Sequence, residues 1–335
     1  MFNPDAPGLR NGNIFGFPFD AENAGIILIP VPWDVTSSYS SGASSGPDAI
    51  LKASPQLDFF DPSFPEAWKK GIHMIPLSAD ITEKNKYFRQ MAEEHISIVE
   101  SGKELSEFNK KNLDDINNAC SGLNQDIFSQ SKKHISNKKM VGVVGGDHSV
   151  SLGLVKALAE QHSSFGILHF DAHADLRNAF EGFTFSHASA LFNMLSISSV
   201  KKLIQVGIRD YCNEEQQRIY SSNDKIIAFD ARNIHRLIFE NTSWASICNE
   251  ILDALPENIY ISFDIDVLNP SCCPNTGTPV PGGLSYEMTT YLLDRAGKEK
   301  NIIGFDLCEV TPGKESELDA NIGARILYKL CCISA

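Results

Sequence analysis

The amino-acid sequence predicts an α/β protein with three layers, in which a mostly parallel central sheet lies between two layers of helices. From residue 140 onward, short apolar runs alternate with amphipathic stretches, which is the pattern of repeated strand–helix units. The apolar runs, such as residues 140–144 and 258–263, are nearly continuous, as expected for parallel strands covered on both faces. The 335-residue chain has no internal repeat and no clear linker, so a single domain over residues 1–335 is the simplest prediction.

The beginning of the chain predicts an irregular segment, one strand and one long loop. Residues 1–24 are rich in Gly, Pro and Asn and predict an irregular lead-in. The apolar run at residues 25–30 predicts the first buried strand. The stretch at residues 32–47 is rich in Ser and Gly, and a loop of this length without periodicity is as consistent with a functional loop as with a plain connection. Proline at position 47 favours a helix over residues 48–53.

Residues 82–138 predict a helical segment within the same domain. Apolar residues recur at helical spacing in residues 82–105 and again in residues 111–135, which indicates two amphipathic helices. The remaining elements alternate along the chain. Strands are predicted at residues 140–144, 166–170, 202–208, 226–229, 258–263 and 301–307. Helices are predicted at residues 150–161, 244–255, 286–295 and 319–330.

The composition narrows the classes of partner. A formal net charge of −13 disfavours nucleic acid and anionic membrane surfaces, because both repel an acidic protein. No apolar run approaches the length of a membrane span, and the first residues do not resemble a signal peptide. The eight cysteines form no recognisable framework, so we expect reduced thiols and a cytoplasmic location.

Three potential metal ligands alternate at the end of one predicted strand. Asp171, His173 and Asp175 directly follow the apolar run at residues 166–170. While the chain stays extended, a period of two places all three side chains on one side. One imidazole and two carboxylates suit a divalent ion such as Mn²⁺. Taken alone, the same residue types are also common as turn formers and caps.

Acidic residues and histidines follow three other predicted strands as well. His148 follows the strand at residues 140–144, Asp264 and Asp266 follow the strand at residues 258–263, and Glu309 follows the strand at residues 301–307. Because sites in parallel sheets lie at the carboxyl ends of the strands, we expect these side chains to converge. Six ligands, two His and four Asp, fit a site with two metal ions about 3.5–4 Å apart.

Three stretches that carry these ligands resemble the signature sequences of the ureohydrolase (arginase/agmatinase) family. They are Gly-Gly-Asp-His-Ser at 145–149, Asp-Ala-His-Ala-Asp at 171–175 and Ser-Phe-Asp-Ile-Asp-Val-Leu-Asn-Pro at 262–270. The run at residues 275–283 resembles agmatinases in particular, and Cys308-Glu309-Val310 resembles the family's Val-Glu-Val. The resemblance extends from about residue 25 to the C-terminus. It implies an α/β/α fold, hydrolysis of a guanidino compound to urea and an amine, and a homotrimer or homohexamer.

The resemblance also implies a role for each ligand in a centre of two Mn²⁺ ions, with Ni²⁺ or another divalent ion as an alternative. The implied ligands are His148, Asp171, Asp175 and Asp264 for one ion, and Asp171, His173, Asp264 and Asp266 for the other, with Asp171 and Asp264 bridging. A hydroxide held between two cations is available at neutral pH, when free hydroxide is scarce. Asp175 is thereby implied in catalysis as well as in metal binding.

Two further residues are expected to act directly on the substrate. Glu309 could orient the planar guanidinium cation, since carboxylates form paired, charge-assisted hydrogen bonds with this group. His187, in the stretch 185–189, resembles the family's shuttle histidine, which gives the leaving amine its proton. A histidine in a loop need have no such role, but its position after the metal motif favours one.

Two departures from arginase sequences concern the substrate's tail. Arg177 stands where arginases carry an Asn that contacts the α-carboxylate, and formimidoylglutamases also show Asp-Leu-Arg at this point. Cys212 stands where arginases carry an acid that receives the α-amino group. Both departures argue against arginine as the substrate and favour agmatine, which would yield putrescine and urea. Guanidinobutyrate, guanidine, formimidoylglutamate and a non-catalytic binding role are the alternatives, and the orientation of Arg177 is left open.

Overall fold

Within residues 2–335, eight strands form one sheet in which every pairing is parallel. The computed structural model describes residues 2–335. The strands are β1 (Ile26–Val31), β2 (Ile72–Met74), β3 (Met140–Gly145), β4 (Phe165–Phe170), β5 (Val200–Val206), β6 (Ile226–Phe229), β7 (Asn258–Phe263) and β8 (Asn301–Leu307). Their order across the sheet is β2-β1-β3-β8-β7-β4-β5-β6, and each neighbouring pair runs parallel. The predicted parallel sheet is therefore confirmed.

Helices cover both faces of this sheet. They are α1 (Gly46–Ala53), α2 (Ala79–Glu100), α3 (Glu107–Ser136), α4 (Leu152–Ala159), α5 (Ala190–Leu195), α6 (Asn213–Tyr220), α7 (Ala231–Phe239), α8 (Trp244–Asp253), α9 (Tyr286–Glu299) and α10 (Leu318–Ile333). One apolar layer joins the sheet to α1, α7, α8, α9 and α10. The other joins it to α2, α3, α4 and α5. Because alternate residues of a strand point to opposite faces, each buried strand contributes to both layers, which gives the predicted three-layer α/β/α fold.

Four strands meet at the centre of the sheet although they are distant in sequence. β8 and β7 lie between β3 and β4. The chain therefore leaves β3 and β4 on either side of a gap that only its last two strands fill. The carboxyl ends of these four strands lie side by side, and the predicted metal motifs follow them directly.

The predicted elements agree closely with the observed ones, with four omissions. β7 and β8 were predicted to the residue, and the two predicted amphipathic helices are α2 and α3. The sequence did not reveal β2, α5, α6 or α7. β2 has three residues and α5 has six, so neither is long enough to show a period. In α6, Asn-Glu-Glu-Gln-Gln-Arg-Ile-Tyr, only two side chains are apolar, which leaves the helical face unmarked.

The lead-in is largely irregular, as expected, but it is well packed. It contains one short 3₁₀ turn, Ile14–Gly16. Ile14, Phe15 and Phe17 are fully buried in the same apolar layer as α10. None of the helices in residues 2–335 is both long and apolar enough to span a membrane. That the whole chain forms one domain stays a prediction.

Candidate metal centre

The first group of predicted ligands converges on one nitrogen of His148. Its Nδ1 lies 3.2 Å from Asp171 Oδ2, 3.2 Å from Asp175 Oδ2 and 3.6 Å from Asp264 Oδ2. All four side chains are buried. They come from the ends of three strands, β3, β4 and β7, so the expected convergence at this edge of the sheet is present.

The second group forms around His173. Its Nδ1 lies 3.0 Å from Asp266 Oδ2 and 3.5 Å from Asp171 Oδ1. Asp171 thus contacts both imidazoles through different oxygens, as a carboxylate between two ions would. Asp264 contacts His148, and its bridging role stays a prediction.

Backbone N–H groups hold the carboxylates in place. The amide of His173 donates to Asp171 Oδ1 at 2.6 Å, and the amide of Asp266 donates to Asp264 Oδ1 at 2.8 Å. The Ala172 amide donates to Asp266 Oδ1 at 2.9 Å and so ties two motifs together. The expectation of a fully extended chain is wrong at Asp175, whose φ of 53° is left-handed. The turn made there nevertheless brings the Asp175 carboxylate back to His148.

The charges in this cluster oppose one another strongly. Burial raises the pKa of Asp264 well above its usual value, and the charges of Asp266 and Asp171 add to the shift. Burial and the charge of Asp171 likewise raise the pKa of Asp175 to about 6. Buried carboxylates at such short range need positive charge to remain ionised. A set of two imidazoles and four carboxylates therefore fits two divalent cations.

Polar side chains inside the strands support His148 from behind. Its Nε2 lies 2.8 Å from Ser262 Oγ, which donates to Asp306 Oδ2 at 2.9 Å. Asp306 also accepts from the hydroxyl of Tyr260 at 2.6 Å. This series of hydrogen bonds fixes Nε2 of His148 as the protonated nitrogen and leaves Nδ1 free to bind a metal ion. The sequence gives no sign of this network, because Ser262 and Asp306 lie within runs that predict only strands.

A second buried histidine supports Asp171. His169 Nε2 lies 2.9 Å from Asp171 Oδ2, and its Nδ1 lies 3.0 Å from Gln205 Nε2. His169 lies close enough to His148, Asp171 and Asp175 to belong to the same potential metal-binding group. Its hydrogen bonds, however, assign Nε2 as the donor to Asp171, which is the geometry of a supporting residue. It was missed because it lies within the apolar run of β4.

Glu309 lies beside the cluster without joining it. It is buried, and its Oε1 accepts from the His148 amide at 2.9 Å. Its Oε2 lies 3.6 Å from the position that a Cβ on Gly277 would occupy. Burial, reinforced by the charge of Asp147, raises the pKa of Glu309 well above its usual value. A cation that reached Oε2 would reverse this shift, since an opposite charge favours the ionised carboxylate.

His187 lies in a short 3₁₀ turn after the second motif. The turn is His187–Ser189, and the ring lies edge-on to Phe180 with 6.3 Å between centroids. Burial lowers the pKa of His187 to about 4, and the charge of His173 contributes. His187 is therefore neutral at neutral pH, so it must accept a proton before it can pass one to a leaving amine.

The two predicted substrate-tail residues make contacts of their own. The guanidinium of Arg177 lies over the ring of Phe180 at 4.8 Å, and its Nε is 3.9 Å from Glu215 Oε2. Cys212 is the N-cap residue of α6, and its amide donates to Glu215 Oε2 at 2.9 Å. Glu215 thus lies next to both residues: its carboxylate is within ion-pair distance of Arg177 and accepts from the Cys212 amide.

The fold and the cluster define a class, namely α/β proteins with a buried His and Asp centre suited to divalent metal at the carboxyl edge of a parallel sheet. Within that class, the chain belongs to the arginase family, whose model matches residues 24–332. It is accordingly a hydrolase that acts on guanidino C–N bonds, and members of this family use a centre of two divalent metal ions. The resemblance seen in the motifs is confirmed.

Individual relatives support the same placement. The chain is 33% identical to N(1)-aminopropylagmatine ureohydrolase of Thermus thermophilus, over 92% of this chain and 89% of that protein. It is 28% identical to agmatinase of Proteus mirabilis, over 96% and 94%. The crystal structure of agmatine ureohydrolase of Thermoplasma volcanium superposes with a TM-score of 0.72 at 20% identity, covering 98% of this chain and 94% of that chain. That structural likeness concerns the fold.

Proposed function

We propose that this protein hydrolyses the guanidino group of an agmatine-type cation to urea and a primary amine. One observation carries the proposal: ligands from three strand ends form two groups that share Asp171, and Glu309 holds an unpaired carboxylate oxygen beside them. The substrate preferred here is agmatine, with putrescine as the amine product. The N1-aminopropyl derivative of agmatine is the second candidate. It is included because the chain is 33% identical to a relative named for that activity and 28% identical to an agmatinase.

The six ligands would hold the metal ions, which we propose to be two Mn²⁺, with Ni²⁺ or another divalent ion as the alternative. Ions bound there would supply the Lewis acidity that activates a water molecule at neutral pH. The protein's own residues bind the guanidinium, exclude water and transfer the proton. Glu309 binds and orients the guanidinium through Oε2, while Oε1 stays fixed by the His148 amide. Buried side chains around the cluster exclude bulk water and so strengthen this charge pair.

Proton transfer is assigned to His187. This ring is neutral at neutral pH, because burial lowers its pKa to about 4. The ring therefore accepts the proton that the attacking water gives up and then donates it to the departing amine. Asp175, which lies 3.2 Å from His148 Nδ1 and whose pKa is raised to about 6 by burial, is proposed as a ligand that also takes part in this proton balance.

Arginine is proposed to be a poor substrate. Its α-amino group needs an acceptor, whereas the Cys212 thiol is a weak acceptor and Glu215 is engaged by the Leu176 and Cys212 amides. An unpaired buried ammonium costs several kcal/mol, so discrimination of about 100-fold or more is expected. Arg177, held over Phe180, is proposed to border the tail site rather than to bind a carboxylate.

The test is a urea and ammonia release assay on the Mn²⁺-loaded protein. The panel is agmatine, N1-aminopropylagmatine, guanidinobutyrate, arginine, guanidine and formimidoylglutamate. Agmatine or its aminopropyl derivative should give the highest kcat/KM. Formamide and glutamate, measured alongside urea and ammonia, would indicate a formimino substrate, and no product from any compound would favour a non-catalytic relative. A homotrimer or homohexamer is proposed as the assembly, to be measured by light scattering.

A further inference from the structure

Two loops border the metal cluster. The first loop, residues 34–44, follows β1 and approaches the cluster at Thr36, whose hydroxyl donates at 3.2 Å to Oδ2 of Asp147, the residue before His148. The carbonyl of Ser40 in this loop lies 3.3 Å from the Cβ position of Gly277, which itself adjoins Glu309 Oε2. The second loop, residues 176–186, begins directly after Asp175 and ends directly before His187.

Helix α2 holds the first loop. Asn85 donates through Nδ2 to Asp34 Oδ1 at 3.0 Å and accepts from the Asp34 amide at 2.8 Å. The other oxygen of Asp34 accepts from the Gly42 amide at 2.8 Å, so Asp34 ties both ends of the loop to the helix. One turn further along, Arg89 donates through Nη1 to the carbonyls of residues 34, 35 and 37.

Helices α2 and α3 together hold the second loop. His95 of α2 lies with Nε2 2.7 Å from the carbonyl of Glu181. Asn117 of α3 donates to the Gly182 carbonyl at 3.1 Å and accepts from the amide and hydroxyl of Thr184 at 2.9 and 3.1 Å. Glu181 and Gly182 both have positive φ, 53° and 88°, which is the backbone of a tight type I′ turn. Because Glu at such a position is strained, the turn depends on these outside contacts.

This turn contacts Arg177 and His187, the two side chains that the proposed function places near the substrate. Phe180 and Phe183 pair across the turn by two backbone hydrogen bonds of 3.2 and 2.8 Å. Phe180 lies under the guanidinium of Arg177 and edge-on to the ring of His187. A displacement of the turn would therefore move both side chains at once.

The holding residues lie where apolar side chains would otherwise be expected. Asn85 and His95 are 7% and 2% exposed. Arg89 lies four residues after Asn85 and therefore on the same face of α2, whereas His95 lies about 120° around the helix from Arg89. A buried polar group is costly unless it is paired. Here the partners are the backbones of the two loops and the Asp34 carboxylate, while His95 Nδ1 is left without a partner.

We infer that the α2–α3 hairpin positions both loops around the substrate, so that Asn85, Arg89, His95 and Asn117 are positioning residues for the reaction. The inference rests on the proposed function, because it takes these loops to border a guanidino substrate. It gives a role to the helical segment at residues 82–138, which packs beside the sheet and supplies none of the predicted ligands.

The most informative variant is Asn117→Ala. Asn117 is only partly buried, so its removal spares the core, yet it deletes three hydrogen bonds to the second loop. Asn118→Ala is the matched control, since Asn118 is the next residue on the same helix and is exposed. Asn117→Asp keeps the acceptor oxygen for Thr184 and should restore part of the effect. Arg89→Met tests the first loop in the same way.

Hydrogen exchange measured by mass spectrometry reports how strongly the hairpin stabilises each loop. In Asn117→Ala, amides of residues 178–186 should exchange at least tenfold faster, because three hydrogen bonds that hold the second loop are lost. Residues 34–44 should be unaffected in this variant and should exchange faster only in Arg89→Met. Unchanged exchange in both loops would overturn the inference.

Kinetics and metal content separate positioning from a merely structural role. Asn117→Ala should lower kcat/KM for the best substrate by about tenfold at unchanged metal content, because misplaced groups cost rate without loss of folding. Asn118→Ala should match the wild type. Faster exchange with normal kcat/KM would overturn the positioning role. A wild type that releases no urea or ammonia would refute the proposed function instead, and with it the role toward a guanidino substrate, while the exchange data would still show whether the hairpin holds the loops.

Discussion

At the scale of single residues, Glu309 and His187 differ from the ligands in what they offer the substrate. Glu309 has a φ of 64°, so the backbone turns into the left-handed region just after the end of β8. One of its oxygens is fixed and the other is free of side-chain partners, so it can meet a planar cation at a defined place. His187 is separated from the cluster by the second loop, and its burial keeps it neutral.

For Glu309, we predict that Glu309→Gln retains its metal and loses turnover. The amide oxygen of Gln can still accept from the His148 amide, but the negative charge that would bind the guanidinium is gone. The expected loss in kcat/KM is about 10- to 100-fold, the range for a hydrogen bond to a charged group. Metal content by elemental analysis and steady-state kinetics measure this, with Glu317→Gln, an exposed carboxylate, as the control. Near-normal turnover would make Glu309 structural.

For His187, we predict a neutral imidazole down to pH values near 5, as measured by histidine NMR. Folding lowers its pKa from 6.5 to about 4, chiefly through burial. Between these values the unfolded chain binds more protons than the folded one. The contribution of neutral His187 to stability is therefore present above pH 6.5 and is lost as the pH falls toward 4. His187→Gln should reduce the loss of stability over this interval, and a titration near pH 6.5 would contradict the assignment.

At the scale of elements, the backbone at the end of β3 is packed so closely that there is no space for an added side chain. Gly146 follows β3 and directly precedes the turn of His148. A Cβ at this position would lie 1.8 Å from the Trp33 carbonyl oxygen, which is backbone and cannot rotate away. The end of β3 and the start of the first loop are thus packed backbone against backbone.

We therefore predict that Gly146→Ala destabilises the protein by about 3 kcal/mol or more, because overpacking here must shift main-chain atoms. Gly122 provides the matched control. It is exposed in the middle of α3 and a Cβ there meets nothing within 4 Å. Gly122→Ala should be stabilising by about 0.5–1 kcal/mol through helix propensity. Urea unfolding of both variants gives the comparison, and equal midpoints would contradict it.

The elements also show how far the sequence alone could lead. Strand ends were predictable because buried parallel strands are continuous apolar runs, and the ligands follow them directly. His169 and Asp306 were not, since a single polar residue inside such a run does not disturb the strand pattern. The orientation of Arg177 was not predictable either. The left-handed turn at Asp175 ends the extended backbone, and side chains beyond it no longer alternate between two sides. The hydrogen bonds from the α2–α3 hairpin to both loops join residues up to 86 positions apart. No local sequence pattern predicts such contacts.

At the scale of the whole molecule, the site lies at the middle of the sheet and carries a concentration of buried negative charge. Divalent ions that bind the folded state alone stabilise it by mass action. Metal binding should thus be visible in the stability of the entire protein and not only in its activity.

We predict two ions per chain under saturating Mn²⁺ and a lower unfolding temperature after chelation. At an ion concentration 100 times the dissociation constant, each site would add about 2.7 kcal/mol. His148→Asn should lose this stabilisation, whereas His162→Asn, outside the cluster, should keep it. Elemental analysis and thermal unfolding measure both quantities. One ion per chain, or an unfolding temperature insensitive to chelator, would contradict the proposed centre.

The position of β7 and β8 between β3 and β4 has a consequence for the newly made polypeptide. When synthesis has reached residue 300, the strands that carry His148 and Asp171 exist, but β8, which separates β3 from β7, does not. The two halves of the cluster can reach their spacing only after this last strand docks, a closure between distant segments that is slow by nature. Loading with metal would then occur only on finished chains, and a ribosome-stalled fragment ending before residue 301 should remain unable to hold the pair of ions.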